Sequence, residues 1–233
     1  MIVNGIDLRE KFKGNVIWLN QTVKPRNVTT YVDWLDNSID PQKSRPNKYT
    51  DFEIYIDLIV KSESKEKCEI LMSELIKAFD SGEVALDNMQ FTYGFNSVKE
   101  ERELIRRWEY HVELTLTAYN KKGLQETINF TGTTKTFNAK GTADTMAVLS
   151  LSSNIGLNSL TITGLTQKPI TVQNIGINVP IIIDGEKCIV EESGKNIFGR
   201  TDLWEFPIVN PGQNTIKLSS ACVCKLTYKP RYL

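Results

Sequence analysis

Beyond residue 125 the sequence consists of short apolar segments separated by turn residues, and this pattern restricts the fold more than any other feature. The segments follow one another at regular spacing, and no helical period of apolar residues occurs among them. Short strands with such spacing are typical of two packed antiparallel sheets. The pattern predicts an all-β sandwich over residues 126–233, with strands at TINFTG, MAVLSLSS, SLTITGL, PITVQNI, IIIDGEKCIVEE, LWEFPIV, NTIKLS and CVCKLTYK.

Two turns position strands within this predicted sandwich. Asp184–Gly185 lies between two apolar runs, which is a hairpin pattern. Pro211–Gly212 predicts a turn that leads into the last part of the chain. We expect two separate strands after this turn, and we expect the last of them to be one of a pair that closes the sandwich.

The first half of the chain combines long strands with one helix. Apolar residues alternate with mixed ones from Phe52 to Val60, and a second alternation runs from Trp108 to Ala118. Each alternation predicts a strand with one buried face. Asn4–Gly5, between short apolar runs, predicts a hairpin at the start.

The helix is predicted over residues 64–81 by a single apolar stripe at helical spacing, formed by Cys68, Leu71, Met72, Leu75, Ile76 and Phe79. Ser62 or Ser64 is suited to cap its start, and Gly82 is suited to a left-handed residue after its end. We expect this helix to pack on the sheet. A polar, Gly-bearing segment at residues 120–125 follows a complete core and predicts the boundary between domains at 1–125 and 126–233.

Two polar stretches lie inside the first domain. Residues 37–49 contain two prolines among polar and charged residues, which predicts a long exposed loop. Residues 97–107 mix acidic and basic side chains and fit either a short helix or a charged hairpin tip.

Composition excludes several classes of function. The chain has 28 basic and 28 acidic residues, so no net field steers it toward nucleic acid. The first residues lack a basic leader followed by an apolar stretch, so we expect no signal peptide. No apolar run reaches the roughly 18 residues needed to span a bilayer, and we therefore expect no membrane partner. The four cysteines are accordingly expected to be thiols.

Few residues suit catalysis or metal binding. His111 is the single histidine, it lies on the polar face of a predicted strand, and no nucleophile, phosphate-loop or metalloprotease motif accompanies it. Cys222 and Cys224 would point to the same face of a strand, but neither Cys68 nor Cys188 forms a matching pair for zinc. The simpler interpretation makes Cys222 and Cys224 core residues. No catalytic, cofactor-binding or metal-binding residue is assigned.

Carboxylates and tryptophans offer two further possibilities. Glu191 and Glu192 are sequential and would face opposite ways, whereas Glu100, Glu101 and Glu103 alternate with arginines and indicate a solvated edge or a subunit contact. Sugar stacking is conceivable at Trp34, Trp108 and Trp204, although Trp108 fits the core alternation. The alternative function is therefore a carbohydrate-binding β-sandwich protein that adheres to a host surface, with Trp204 in its site.

Several motifs occur in a recognisable order. VNGIDL opens the chain; later come IIIDGEKCIVEESGKNIF, FPIVNPGQNTIKLS and a terminal YKPRY. The most specific parts are the Ile183–Asp184 hairpin, Phe206–Pro207 followed by Pro211–Gly212 with Asn214 and Ile216, and the Arg231–Tyr232 ending. Over nearly its whole length the chain thus resembles the distal tail proteins of siphophages and prophages of Gram-positive hosts.

This resemblance implies a structural role, without enzyme activity or cofactor. It implies a mainly β (α+β) chain, with an N-terminal β-sandwich or barrel-like domain carrying one packed helix and a C-terminal galectin-like β-sandwich. It also implies a homohexameric ring at the phage tail tip of the virion, made in the host cytoplasm. The implied partners are the tail tube protein, the tail-associated protein and receptor-binding or baseplate proteins, with no specific nucleic acid. The chain has no room for an inserted carbohydrate-binding module.

Overall fold

The computed structural model describes residues 1–33, 42–87 and 89–233. Contacts between Cα atoms divide the chain into two compact units, Met1–Lys121 together with Leu233, and Lys122–Tyr232. Strands dominate both units, so the prediction of a mainly β chain is confirmed.

The first unit contains nine strands and two helices among its described residues. The strands are β1 (Ile2–Val3), β2 (Ile6–Asp7), β3 (Val16–Val23), β4 (Val28–Asp33), β5 (Gln42–Tyr49), β6 (Phe52–Lys61), β7 (Gly82–Ala85), β8 (Thr92–Arg106) and β9 (Glu109–Lys122). The helices are α1 (Leu8–Lys11) and α2 (Lys65–Ala78). Seven strands form one sheet in the order β2-β1-β7-β8-β9-β6-β3, and β4 and β5 form a separate two-stranded sheet.

One face of the large sheet forms the core of this unit together with α2. Alternate residues of β6 are buried from Phe52 to Val60, and Ile56 pairs with Leu114 of β9, so that two apolar rows lie side by side. From α2, Cys68, Met72 and Leu75 are buried in the same cluster. The predicted helix and both long strands therefore form, because each has a complete apolar stripe to bury.

The start of α2 agrees with the prediction, but its end does not. Ser64 caps the helix, since its side chain accepts a hydrogen bond of 3.2 Å from the Lys67 backbone N–H. The helix ends at Ala78, with Phe79 as its C-cap. Gly82 opens β7 at a φ of +134° and is not the left-handed residue after the helix.

The two predicted hairpins of the first unit are present. Asn4 and Gly5, with φ values of +51° and +80°, connect β1 to β2. Residues 97–107 belong to a hairpin of β8 and β9, which decides against the short helix. Trp108 lies in its turn at a φ of +60° and is only half-buried, so its predicted place in the core alternation is wrong.

The predicted loop over residues 37–49 is wrong for the part that the structure describes. Residues 42–49 form β5, which pairs with β4. Pro46 and Asn47 face the single residue Thr30 at a shift in register. Proline is tolerated in a strand at such a bulge, where its missing N–H breaks no regular pair. Residues 37–41 of the predicted loop lie outside the described part.

The second unit contains ten strands and one turn of 3₁₀ helix, Phe198–Arg200. The strands are β10 (Glu126–Ala139), β11 (Thr145–Ser152), β12 (Leu157–Thr163), β13 (Ile170–Ile175), β14 (Ile181–Asp184), β15 (Ile189–Glu192), β16 (Lys195–Asn196), β17 (Thr201–Asp202), β18 (Ile208–Val209) and β19 (Gly212–Tyr228). The strand order is β16-β15-β14-β11-β19-β12-β13-β17, with β10 also paired to β19 and β18 to β11.

The end of the chain differs from the prediction of two short strands. β19 is one strand of 17 residues, and β10 pairs with both of its halves. A bulge in β19 interrupts this ladder, because residues 218–221 lie opposite the single residue Thr133 of β10. On its other side β19 pairs with β12 before this bulge and with β11 after it. Bulges bend a strand without ending it. The Pro211–Gly212 segment connects β18 to β19, but β18 pairs with β11, so the expected pair across this turn does not form.

The core of the second unit is lined by alternate residues of the long strands. Cys222, Cys224, Leu226 and Tyr228 are buried on one face of β19, as the simpler interpretation of the cysteines predicted. The predicted hairpin at Asp184 joins β14 to β15 through residues 185–188. The Asp184 carboxylate accepts hydrogen bonds of 2.9 and 3.0 Å from the Glu186 and Lys187 backbone N–H groups, which stabilise the turn.

Candidate assembly surfaces and side-chain clusters

β3 forms one edge of the large sheet. It pairs with β6, and within the described residues no strand pairs with its other side. Ile17 and Leu19 on this strand are exposed, at 42% and 52%. An edge strand presents unpaired backbone N–H and C=O groups and can pair with another chain. β3 is therefore a candidate assembly surface.

β8 provides a second open edge. Its neighbour β7 pairs only with residues 92–95, so residues 96–106 have β9 on one side and no described strand on the other. Leu104 and Ile105 are exposed on this segment, at 58% and 50%. β3 and this half of β8 thus lie at opposite ends of the same four strands, β8-β9-β6-β3.

Ion pairs surround the second edge. Arg102 reaches α2, where its Nη1 lies 3.0 Å from the Glu69 carboxylate. Lys99 pairs with Glu101 at 2.5 Å, and Arg106 pairs with Glu109 at 2.5 Å. Exposed pairs of this kind contribute little to stability. Charged side chains on an open edge discourage random strand pairing.

His111 does not stand alone on its strand. The register of β6 and β9 places Asp57 directly opposite Glu113, and His111 lies two residues before Glu113 on the same face. One ligand atom from each of the three side chains lies within 4.8 Å of the other two. Sequence reasoning recognised both strands but missed this cluster, because only the pairing register reveals it.

The cysteines are all free, and three of them are buried. Burial, together with a smaller effect of the neighbouring Cys222, raises the pKa of Cys224 to about 12. Cys68 belongs to the core of the first unit and Cys188 is exposed in the turn after β14. The structure therefore does not bring the four thiols into one metal site.

Two of the three tryptophans considered for sugar stacking lie among the described residues, and their surroundings differ. Trp204 is 72% exposed, and the ammonium nitrogen of Lys168 lies 4.1 Å from the centre of its ring. The neighbouring Glu205 lines an open cleft and accepts a hydrogen bond from the Gln167 backbone N–H at 2.9 Å. Trp108 lies in the β8–β9 turn with Arg107 over its ring at 5.3 Å. Trp34 lies outside the described residues.

The paired carboxylates that were considered for catalysis are held by cations. Glu192 pairs with Arg200 at 2.7 Å, and Glu100 pairs with Arg102 at 3.5 Å. Glu191 lies next to Glu192 on β15, where neighbouring side chains point to opposite faces. Such paired groups are typical of solvated surfaces.

Asp87 is the centre of a polar cluster that the sequence did not indicate. Its carboxylate accepts hydrogen bonds from Arg9 at 2.9 and 2.5 Å, from Gln21 at 2.8 Å and from the ammonium group of Met1. Partial burial raises the pKa of Asp87, but these donors outweigh it and lower the pKa to about 2. Asp87 is 66 to 86 residues away in sequence from these donors, so no local pattern reveals the cluster.

A search for membrane-spanning helices in the described residues finds none that is long and apolar enough. The sequence matches no family model and no curated protein.

The fold is similar to that of solved phage hub and baseplate structures. The chain superposes on SPP1 Dit (gp19.1), described as a paradigm of the hub adsorption apparatus in phages that infect Gram-positive bacteria, with a TM-score of 0.76 and 11% sequence identity. The similarity covers 100% of this chain and 98% of that one. The fold similarity thus extends through both units, in line with the resemblance drawn from the sequence motifs.

Two structures of the phage p2 baseplate in its activated conformation are also similar. The structure with Ca matches at a TM-score of 0.56 and 11% identity, covering 94% of this chain and 91% of the other. The structure with Sr matches at 0.56 and 12% identity, covering 93% and 91%. At these identities the similarity establishes the fold, and the function follows only as a proposal.

Proposed function

We propose that this chain is the structural hub of a phage tail tip, a virion component without catalytic activity. In this role it forms a hexameric ring that joins the tail tube to the tail-associated protein and to receptor-binding or baseplate proteins. The observation that supports this most is the agreement in fold with SPP1 Dit over the whole length of both chains, at a TM-score of 0.76. A similarity limited to one shared domain would not produce such coverage.

The two open edges of the first unit supply a way to close a ring. In a cyclic oligomer each subunit contacts the next through two different patches. β3 of one copy and residues 96–106 of β8 in the next are two such patches, since they end the same set of strands. Their pairing would extend the sheet from copy to copy and leave neither of these two edges open.

The charge distribution is compatible with this arrangement. A net charge of zero lets six copies gather without strong repulsion. The sheet face opposite α2 carries carboxylates at Glu53, Asp57 and Glu113, and in a ring with the helices outside this face would line the channel. Such a face is not strongly basic, so we expect the channel to let DNA pass without binding it.

The two units would then have separate tasks. The first unit, which carries both open edges, would build the ring. The second unit, with its β-sandwich, would hold receptor-binding or baseplate proteins. We propose residues 1–125 and 126–233 as the corresponding domains, made in the host cytoplasm and incorporated into the virion.

Electron microscopy of the concentrated, purified chain tests the ring. Class averages with six-fold symmetry are the expected result. The proposed pairing of β3 with β8 of the next copy needs a separate test, a map that resolves the strands. A six-membered ring in which these two strands are not paired would support the hub but reject this mode of ring closure.

A second candidate function, carbohydrate binding, is favoured by one observation. Trp204 is the most exposed large hydrophobic side chain of the described residues, at 72%, and it adjoins the cleft lined by Glu205. Exposed indole rings stack on sugars, although Lys168 already lies over this ring. A glycan array with the wild-type chain and Trp204→Ala decides between the candidates. A selective signal that the variant loses supports glycan binding, whereas a pure hub gives none.

A further inference from the structure

Asp57, Glu113 and His111 form a set of three potential metal ligands on the sheet face opposite the core. Asp57 lies on β6, and Glu113 and His111 lie on β9, two strands held in register by ten consecutive pairs from Phe52 to Lys61. Their donor atoms lie within 4.8 Å of one another. The backbone therefore positions the three side chains before any ligand binds.

This arrangement has an electrostatic cost unless a cation is present. Asp57 and Glu113 are directly opposite each other, and like charges at such a position destabilise a sheet. Among the described residues, neither carboxylate and no atom of the imidazole forms an ion pair or a hydrogen bond with another side chain.

The donor set indicates which cation would satisfy it. One imidazole nitrogen and two carboxylate oxygens suit first-row divalent metals such as Zn²⁺ or Co²⁺. Each ligand atom would lie about 2 Å from the metal, so the three atoms would move somewhat closer together than they are here. Glu113 is exposed and Asp57 and His111 are only half-buried, so rotamer changes can provide this movement.

We propose that Asp57, His111 and Glu113 form a binding site for a divalent first-row metal ion, with water in the remaining positions. The site lies entirely within the first unit and does not require a ring. It is also separate from both open edges, because β6 and β9 are the inner strands of the set β8-β9-β6-β3.

Cobalt(II) is the most informative probe, since its visible absorption reports the ligands. The chain should be free of any histidine tag and carry Cys188→Ser, because Cys188 is the exposed thiol and would compete for the metal. We expect saturable binding of one Co²⁺ per chain without the intense near-ultraviolet band of thiolate ligation. Addition of Zn²⁺ should displace the cobalt and abolish its spectrum.

Variants then assign the ligands. His111→Ala and Asp57→Asn should each weaken Co²⁺ binding at least tenfold, and Glu113→Gln offers the same test at an exposed position where folding is least at risk. Glu109→Gln is the matched control, since Glu109 lies on the same face two residues before His111 but pairs with Arg106. No saturable binding at millimolar Co²⁺, or binding that His111→Ala leaves unchanged, would overturn the proposal.

Discussion

The side-chain amide of Asn4 fills the space that a side chain at Gly82 would need. Asn4 Nδ2 donates to the Ser81 carbonyl oxygen, and Asn4 Oδ1 accepts from the Glu83 backbone N–H, both at 2.9 Å. A Cβ on residue 82 would overlap Asn4 Oδ1 and lie 2.6 Å from Asn4 Cγ. The glycine thus permits the contact that fastens the first hairpin to the start of β7.

Gly82→Ala should lower the free energy of unfolding by about 3 kcal/mol. The variant should lose the two hydrogen bonds of Asn4, and alanine rarely adopts the φ of +134° found at this position. Urea unfolding at neutral pH measures this change. Gly14→Ala is the control, because Gly14 has a φ of +83° and no atom within 4 Å of its missing Cβ. It should cost about 1–2 kcal/mol from backbone strain alone. Equal losses of unfolding free energy in the two variants would mean that the Asn4 side chain moves away from residue 82 without destabilising the chain.

The role of Gly82 also illustrates where sequence reasoning stops. A glycine just beyond a helical stripe fits a helix C-terminus, and nothing nearby in sequence indicates that Asn4 will lie against it. The strand from Phe52 and the helix capped by Ser64 were predictable, because their apolar periods are local. The continuity of β19 was not, because residues 218–221, the extra residues at its register shift, lie opposite Thr133 of β10, which is distant in sequence.

Asp87 should make stability depend on pH. Its folded pKa of about 2 lies below the ordinary value of 3.8, so its contribution is complete at neutral pH and is lost as the pH falls through this interval. This pKa shift corresponds to about 2 kcal/mol of unfolding free energy at neutral pH, and about half of this contribution should be lost at pH 3. Asp87→Asn should remove this part of the pH dependence in urea unfolding at pH 7 and pH 3.

The control for that experiment is Asp80→Asn, since Asp80 is exposed just after α2. This variant should keep the pH dependence of the wild type. If Asp87→Asn also kept it, the Arg9, Gln21 and Met1 contacts would not govern the carboxylate in solution.

Thiol labelling should distinguish one cysteine from the others. Cys188 is exposed, whereas Cys68, Cys222 and Cys224 are buried and burial raises the pKa of each of those three thiols. Iodoacetamide should therefore add one group per native chain and four in denaturant, as measured by intact mass. Cys188→Ser should reduce the native number to zero. Rapid native labelling of Cys224 would contradict the burial of this face of β19.

The open edge of β3 predicts a specific effect on assembly. Leu19→Lys places a charge on the exposed edge strand and should weaken self-association at least tenfold, because charges on an edge oppose strand pairing. Ile177→Lys is the matched control, an apolar residue of the second unit that is 61% exposed. Sedimentation equilibrium compares the two variants. Equal association of Leu19→Lys and the wild type would exclude β3 from the contact.

The Asp57–His111–Glu113 cluster and β5 were beyond sequence reasoning for a related reason. In the sequence His111 is an isolated polar residue, and only the pairing of β6 with β9 brings Asp57 close to it. A shift of one residue in this register would turn Asp57 to the other face of the sheet. Likewise, the polar composition of residues 42–49 indicates a loop, and only pairing with β4 makes them a strand. In both cases a long-range register decides the structure.

The mass of the native chain tests the central claim most directly. Light scattering after size exclusion, at the highest attainable protein concentration, gives this mass without reference to shape. The account predicts a species of six times the 26.5 kDa of one chain. A monomer at every concentration would contradict a hub that forms its ring by itself.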